Sequence, residues 1–355
     1  MKTLSRLVVG SLAMMAGLAQ QASRPPNLIL TNDKLELTIQ ATGGTFSKLL
    51  LRDGETLSPL AAIGHFLAVD GFGAPSEQER AAGMPFHGEA SKQIVKVLSS
   101  QSRSLVLETT LPLVQETLIR TIELIDGESV VYVTSDLSSG LAADRPISWA
   151  EHATIGPPFL ERGKTVVDMP ALNCRVRPFK PGPIPGRLVY EKDFQWPLGP
   201  TNDGGQADLR LVPTDKNYLD LASCQMDPKR STAFVTALNL EKHLLFGYAF
   251  RRADFPWLMS WMNYTGTPQA ARGMEFSTQP FDISHQETVA MSPLFGTPTF
   301  RWLPAKAKLQ TRFLMFYLRV PEAFTRIDDV QVADGKVTII DHSGQRLVMT
   351  ASRGL

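Results

Sequence analysis

The sequence predicts an all-β chain folded as a large antiparallel sandwich, and three observations carry that expectation. Apolar and polar residues alternate in Leu105-Val106-Leu107-Glu108-Thr109 and again in Thr117-Leu118-Ile119-Arg120-Thr121-Ile122-Glu123-Leu124. That is the period of strands with one solvated face. Asp53-Gly54 and Asp126-Gly127 separate such runs, and Asp-Gly favours the two-residue turns that close hairpins. No stretch keeps a helical period over the length of a long helix, and no short internal repeat is present. Many strands without helices to cover them pack sheet on sheet. The 355 residues allow one large β domain, expected over 20–355 behind a leader at 1–19.

The leader comes first. Lys2 and Arg6 give a positive start, Leu7 to Leu18 is apolar or small, and Gly17 and Ala19 suit a small-residue cleavage site, the pattern of a secretory signal. The apolar run is shorter than the roughly 20 residues that span a bilayer. The mature chain is therefore expected to be secreted or periplasmic. Leu28 to Thr31, Leu35 to Ile39 and Phe46 to Leu51 then read as a meander. Ser58 to Gly83 is irregular, with one helical turn expected after the cap Ser76. Further strands are expected at Ile94 to Leu98, Ser104 to Thr110, Val114 to Leu124, Val130 to Ser135 and Ser148 to Thr154. Pro170 to Asp208 is dense in Pro and Gly, which exclude a long helix and favour an ordered surface loop or lid. Strands resume at Leu209 to Val212, Tyr218 to Cys224, Thr232 to Asn239, Leu244 to Phe250 and Leu309 to Arg319. Three short ones fill Val330 to Thr350, split by Asp334-Gly335 and Ser343-Gly344.

Composition narrows the partners. With 36 basic and 35 acidic side chains and no long basic run, the chain lacks the clustered positive field that nucleic acid or an anionic membrane surface requires. Cys174 and Cys224 are the only cysteines. In an oxidising compartment they either pair or stay as two buried thiols. Neither sits in a Cys-x-x-Cys pair, which argues against zinc. The histidines form no His-x-His or His-x-x-x-His pair, so no metal site is expected. No Gly-x-Ser-x-Gly elbow supports a serine hydrolase.

Three stretches stand out as chemistry: Met84-Pro85-Phe86-His87-Gly88-Glu89-Ala90, Trp149-Ala150-Glu151-His152-Ala153-Thr154-Ile155-Gly156-Pro157-Pro158-Phe159, and Gly273-Met274-Glu275-Phe276. His87, His152 and Glu275 are expected to meet in one cleft. Each has a plain alternative on the residues alone. His152 suits a core histidine beside a rigid Pro-Pro turn, His87 a turn histidine, and Glu275 a salt bridge to a neighbour such as Arg272.

In order and spacing, the three stretches together resemble the aldose 1-epimerase (galactose mutarotase-like) family. The resemblance opens with Gly43-Gly44-Thr45-Phe46-Ser47-Lys48-Leu49 and the Asp53-Gly54 hairpin, and runs through His87-Gly88, His152 and Glu275. The chain departs from the family pattern at Ser91, where an arginine is common, at Ala153-Thr154-Ile155 after the second histidine, and at Phe276 after the glutamate. The resemblance implies the galactose mutarotase-like β-supersandwich, with a sugar site on one concave sheet face. It also implies that Glu275 is the base and His152 the acid of anomer interconversion, with His87 holding the substrate and no cofactor needed. Whether Glu275 and His152 face each other across a sugar-sized gap separates an enzyme from a catalytically silent carbohydrate-binding protein on the same fold, and the enzyme is expected to show that gap.

Trp261, shortly before Glu275, is the expected platform for a sugar ring, ahead of Trp257 and Trp196. Asp203 is expected to serve its own turn, and His65, His243, His285 and His342 to be surface or packing residues. The partner is then a small sugar or sugar derivative. The alternatives are a non-catalytic carbohydrate-binding protein on the same fold, and a polysaccharide-processing enzyme such as a lyase.

Overall fold

A computed structural model describes residues 26–178, 186–214, 217–266 and 270–355. The leader expected at 1–19 lies outside the described residues. So do Phe179, Pro181, Pro183 and Pro185 of the Pro-rich segment, and Thr267 and Pro268 of the turn after Tyr264.

Two large sheets dominate, and every strand pair in them is antiparallel. One has eight strands in the order Thr165–Asp168, Thr232–Asn239, Leu244–Arg251, Lys308–Arg319, Val130–Ser139, Glu116–Leu124, Ser104–Leu111 and Lys96–Ser100. The other has nine. Its main path runs Asp193–Gln195, Ala171–Val176, Leu219–Met226, Trp257–Asn263, Glu275–Ser277, Trp149–His152 and Phe66–Val69, with Thr154–Ile155 and Ala271–Gly273 paired beside it.

The two sheets pack face to face, as strands with one apolar side must. Phe276 of the nine-stranded sheet stacks on Phe250 of the other, with centroids 4.5 Å apart, and meets Phe313 edge-on at 5.2 Å. Side chains alternate across a strand, so burying Phe276 in the core turns Glu275 to the opposite face. A smaller three-stranded sheet at the C-terminal end, Ile327–Ala333, Lys336–Asp341 and Arg346–Thr350, closes a second apolar cluster behind the eight-stranded sheet.

The core also holds a buried polar knot. Glu151 accepts from Arg120 Nη2 at 2.5 Å and from Trp149 Nε1 at 3.3 Å, and pairs with His65 Nε2 at 2.9 Å. The other nitrogen of His65 lies 3.0 Å from the Tyr248 hydroxyl. Burial works against the Glu151 carboxylate, but Arg120 and His65 together hold it below the ordinary range. His65 is thus a packing residue, fully enclosed, whose neighbours join the two sheets.

Three sequence expectations are corrected. Phe66–Val69 is a strand inside the stretch read as irregular; with only four residues it has no visible period, and its pairing partner is far off in sequence. Ala171–Val176, Asp193–Gln195, Leu198–Pro200 and Gln206–Asp208 are strands inside the expected loop or lid. Most are three residues long because prolines and glycines interrupt them, yet each finds a neighbour to bond. Leu209 to Val212 is not a strand; its only pairing is an isolated bridge between Leu211 and Val166. The cysteines, left open by the sequence, are joined: Cys174 and Cys224 are cross-strand partners and form a disulfide. Ser76 caps the short helix Glu77–Ala81 as expected, and a second capped helix, His285–Ala290, was not foreseen.

Candidate active site

The site forms where two neighbouring strands break at the same level. Strand Trp149–His152 gives way to Thr154–Ile155 at Ala153, and Ala271–Gly273 gives way to Glu275–Ser277 at Met274. The register is the same on both sides of the break, Glu151 opposite Phe276 and Thr154 opposite Gly273. His152 therefore lies directly across from Glu275, the closest lateral relation a sheet offers two side chains. The row continues outward, with Phe66 beside His152 and Met259 beside Glu275.

A cavity of about 480 Å³ covers this row, lined by His87, His152, Glu275, Trp261, Arg177, Asp282, Lys92 and an apolar set that includes Phe66, Phe72, Phe86, Leu221 and Met259. The expected residues His87, His152, Glu275 and Trp261 all meet here. Trp261 is half-buried and lies opposite Leu221 on the neighbouring strand. Trp257 instead is fully buried, its indole donating to the Pro298 carbonyl at 2.8 Å, and Trp196 packs against the main core. Asp203 serves its turn, accepting from Thr201 Oγ1 at 2.6 Å and from the Gly205 amide at 3.1 Å.

His152 is held on several sides. Its ring stacks on Phe66 at 4.2 Å, meets His87 edge-on at 5.0 Å, and places Nδ1 3.2 Å from Thr154 Oγ1. Its Nε2 then faces Glu275 Oε1 at 3.7 Å, too far for a hydrogen bond. Oε1 is buried without a hydrogen-bond partner among the described residues. Arg272 does not supply the salt bridge allowed for Glu275; it donates to the Tyr264 hydroxyl at 2.9 Å and to Ser260 Oγ at 3.4 Å. Gly273 makes room for the carboxyl, because a Cβ there would overlap Oε1.

His87 sits in a left-handed turn with φ 63°. The Gly73 amide donates to its Nδ1 at 3.0 Å, and the His87 amide returns a bond to the Gly73 carbonyl at 3.0 Å. With Nδ1 accepting, the neutral ring carries its proton on Nε2.

The electrostatics push the groups toward their neutral forms. Burial raises the Glu275 carboxyl well above its ordinary value; Asp282 adds repulsion, against the pull of Arg177 and Arg272. Burial holds His152 well below the ordinary imidazole value, and His87 beside it adds to the shift. Burial also lowers His87 to about 4. Burial thus favours the carboxylic acid at Glu275 beside a neutral imidazole at His152.

The sugar-sized gap expected between Glu275 and His152 is not what the fold provides. The two groups are side by side.

Arg177 and Asp282 were missed by the sequence reading. They form an ion pair in the cavity wall. Arg177 lies just past a short strand in the Pro-rich segment and Asp282 in an irregular run after Glu275, and neither has a local pattern that marks it. Ser91 is not among the described residues that line the cavity, whereas Arg177 is.

No family model matches the chain, and no curated protein matches it in sequence. Solved structures do match in shape. A galactose mutarotase related enzyme from Lactobacillus acidophilus aligns over 82% of this chain and 97% of its own with a TM-score of 0.60 at 10% identity. A galactose mutarotase-like protein from Lactobacillus casei aligns over 82% and 100% with a TM-score of 0.55 at 14% identity. An aldose epimerase homologue from C. elegans aligns over 83% and 99% with a TM-score of 0.53 at 10% identity. Likeness at this identity speaks to architecture: the chain has the galactose mutarotase-like fold.

Proposed function

We propose that this chain is an exported enzyme of the aldose 1-epimerase type, interconverting the anomers of a free sugar or sugar derivative by acid–base ring opening. The observation that carries the reading is the Glu275–His152 pair, an acid–base couple 3.7 Å apart in the lining of a sugar-sized cavity. The Glu275 carboxylate takes the proton of the anomeric hydroxyl while the His152 imidazolium protonates the ring oxygen. The bond from the anomeric carbon to the ring oxygen breaks, its electron pair leaves with that oxygen, and a carbonyl forms. The pair ends as carboxylic acid and neutral imidazole, the state that burial favours for both groups. Rotation about the adjoining carbon–carbon bond presents the other carbonyl face. The reverse transfers close the ring, and the pair keeps one proton throughout. Neutral His87 offers its Nε2 proton to a substrate oxygen, and Trp261 offers an apolar face to the ring. Proton transfer completes the cycle, so the reading needs no cofactor.

Export rests on the leader-like pattern at 1–19. The Cys174–Cys224 disulfide supports it, being a bond that persists in oxidising compartments. Cell fractionation with intact-mass analysis tests this; a full-length cytosolic product contradicts it.

The test of the chemistry follows anomer exchange by NMR for freshly dissolved aldoses with wild type, Glu275→Gln and His152→Ala. Acceleration abolished by both substitutions is expected. Acceleration that survives both sinks the assigned pair. Sugar binding without acceleration by the wild type supports the non-catalytic carbohydrate-binding alternative instead.

A further inference from the structure

Beside the proton-transfer pair, the cavity lining holds three charged side chains, and one of them has no counter-charge. Arg177 pairs with Asp282. Lys92 lines the same cavity, is exposed, and has no carboxylate partner among the described residues. The acid nearest to it in sequence, Glu89, is engaged elsewhere, accepting from the Leu113 and Val114 amides at 3.0 and 3.2 Å. Burial favours the neutral forms of Glu275 and His152, and of His87 as well. The cavity therefore presents one uncompensated positive charge. Exposed Ile63 and Phe86 share the lining with it. Apolar walls focus the field of such a charge into a cleft.

The charge stands at the histidine end. Lys92 ends the short 3-10 helix Ala90–Lys92, which follows His87 in the chain, and its charge disfavours the His87 imidazolium. The shifts at His152 and Glu275 come from other neighbours, Glu275 feeling Asp282, Arg177 and Arg272. The polar groups thus run in one order. Glu275 comes first, then His152 at 3.7 Å, then His87 with its ring 5.0 Å from that of His152, and then Lys92.

We propose that Lys92 selects an acidic sugar, binding an anionic group carried by the carbon next to the ring oxygen. The order of the polar groups gives the position. In a six-membered aldose ring the anomeric carbon and C5 flank the ring oxygen, and C5 bears the exocyclic C6. With Glu275 at the anomeric hydroxyl and His152 at the ring oxygen, the next step along the row reaches C5 and its substituent, on the side where Lys92 stands. A carboxylate at C6 or a phosphate ester on O6 supplies the anion. A lysine ammonium, a compact charge with rotatable donors, accommodates either. This inference rests on the sugar reading of the cavity, and it is read from affinity, so the bound sugar need not be turned over.

The experiment measures equilibrium binding by quenching of tryptophan fluorescence, since Trp261 lines the cavity. The probes are D-glucose and D-galactose, their C6 acids D-glucuronate and D-galacturonate, and D-glucose 6-phosphate. D-Glucose 3-phosphate is the control that carries its charge away from the ring oxygen. Wild type is compared with Lys92→Met, which removes the charge and keeps most of the stem, and with Lys92→Arg, which keeps the charge. A C6 acid or the 6-phosphate is expected to bind wild type about 5-fold or more tighter than its neutral parent, the upper range for an ion pair open to solvent. The gain should shrink as salt rises. Lys92→Met is expected to erase the ratio of acidic to neutral affinity and Lys92→Arg to retain it. Either anion bears the inference out, and the tighter of the two names the substrate class. If the neutral parents bind as well as the acids, or the ratio survives Lys92→Met, the inference is wrong while the sugar reading stands. It is also wrong if the 3-phosphate gains as much as the 6-phosphate. If no sugar of the set binds, the sugar reading and the inference fall together. If the acidic preference is present without anomer exchange, the inference holds and the catalytic reading alone fails.

Discussion

Replacing Gly273 with alanine probes the site's geometry without touching an ionisable group. A Cβ at this position would overlap Glu275 Oε1 and lie 2.9 Å from Glu275 Cδ and from the Trp261 amide nitrogen. Ordinary carbon–carbon contacts lie near 3.5–4.0 Å, so the carboxyl must retreat by roughly 1 Å. The Trp261 amide belongs to backbone and yields less readily, which leaves the Glu275 side chain to move. A misplacement of about 1 Å costs on the order of 100-fold in rate when the group must meet a reacting atom. Anomer exchange followed by NMR should therefore show kcat down about 100-fold in Gly273→Ala, with the variant still folded by thermal unfolding. The double variant with Glu275→Gln should be no slower than Glu275→Gln alone, because both changes disable one group. A folded Gly273→Ala protein with wild-type kcat would refute the reasoning, since Glu275 would then not need the position the fold gives it.

Three other outcomes are expected. The rate should follow the singly protonated Glu275–His152 pair, so it falls in acid as the pair takes a second proton and in alkali as it loses its only one. With His152 lowered and Glu275 raised, the acid limb lies below the ordinary imidazole value and the alkaline limb above the ordinary carboxylate value; a single rise near about 4.3 would mean Glu275 titrates as an isolated acid. His87, lowered from 6.5 to about 4, binds fewer protons folded than unfolded between those values. Its contribution is full above the upper value and is lost as pH falls through the window, by about 3 kcal/mol at most. Denaturant unfolding across this range should show the slope reduced in His87→Asn, which keeps an acceptor for Gly73 and tolerates the left-handed turn; an unchanged slope contradicts it. Arg120→Met strips the main partner from the fully buried Glu151 and should destabilise the fold by about 3–5 kcal/mol, as breaking a buried ion pair does. A loss under about 1 kcal/mol would mean that the core rearranges around the carboxylate.

The legible parts of the fold were those set by local chemistry. Asp126-Gly127, Asp334-Gly335 and Ser343-Gly344 each stand at the turn between two paired strands, because Gly accepts the backbone such turns require; Asp53-Gly54, expected to close a hairpin, does not, since the strand before it, Phe46–Leu51, pairs back with Leu35–Ile39 and the next strand, Phe66–Val69, lies in another sheet. The alternation in Thr117 to Leu124 reappears as an unbroken alternation of buried and half-buried positions. Ser76 was legible as a cap because its oxygen acts only three residues along the chain. What depends on distant partners was not legible. Phe66–Val69 acquires its identity from the register with Trp149–His152. Arg177 and Asp282 come together from segments 105 positions apart, with no spacing to announce them. His87, His152 and Glu275 could be picked out only as an ordered set. The sequence did not reveal that two strand breaks at one level would set His152 directly against Glu275.

Anomer exchange tests the central claim most directly. The equilibrium exchange rate between the two anomers is measured by NMR magnetisation transfer for a panel of aldoses, with increasing amounts of the purified protein. The account predicts that for at least one sugar the rate rises in proportion to protein concentration, and that Glu275→Gln returns it to the buffer value. Rates equal to buffer for every sugar tested, with the protein folded, would contradict it.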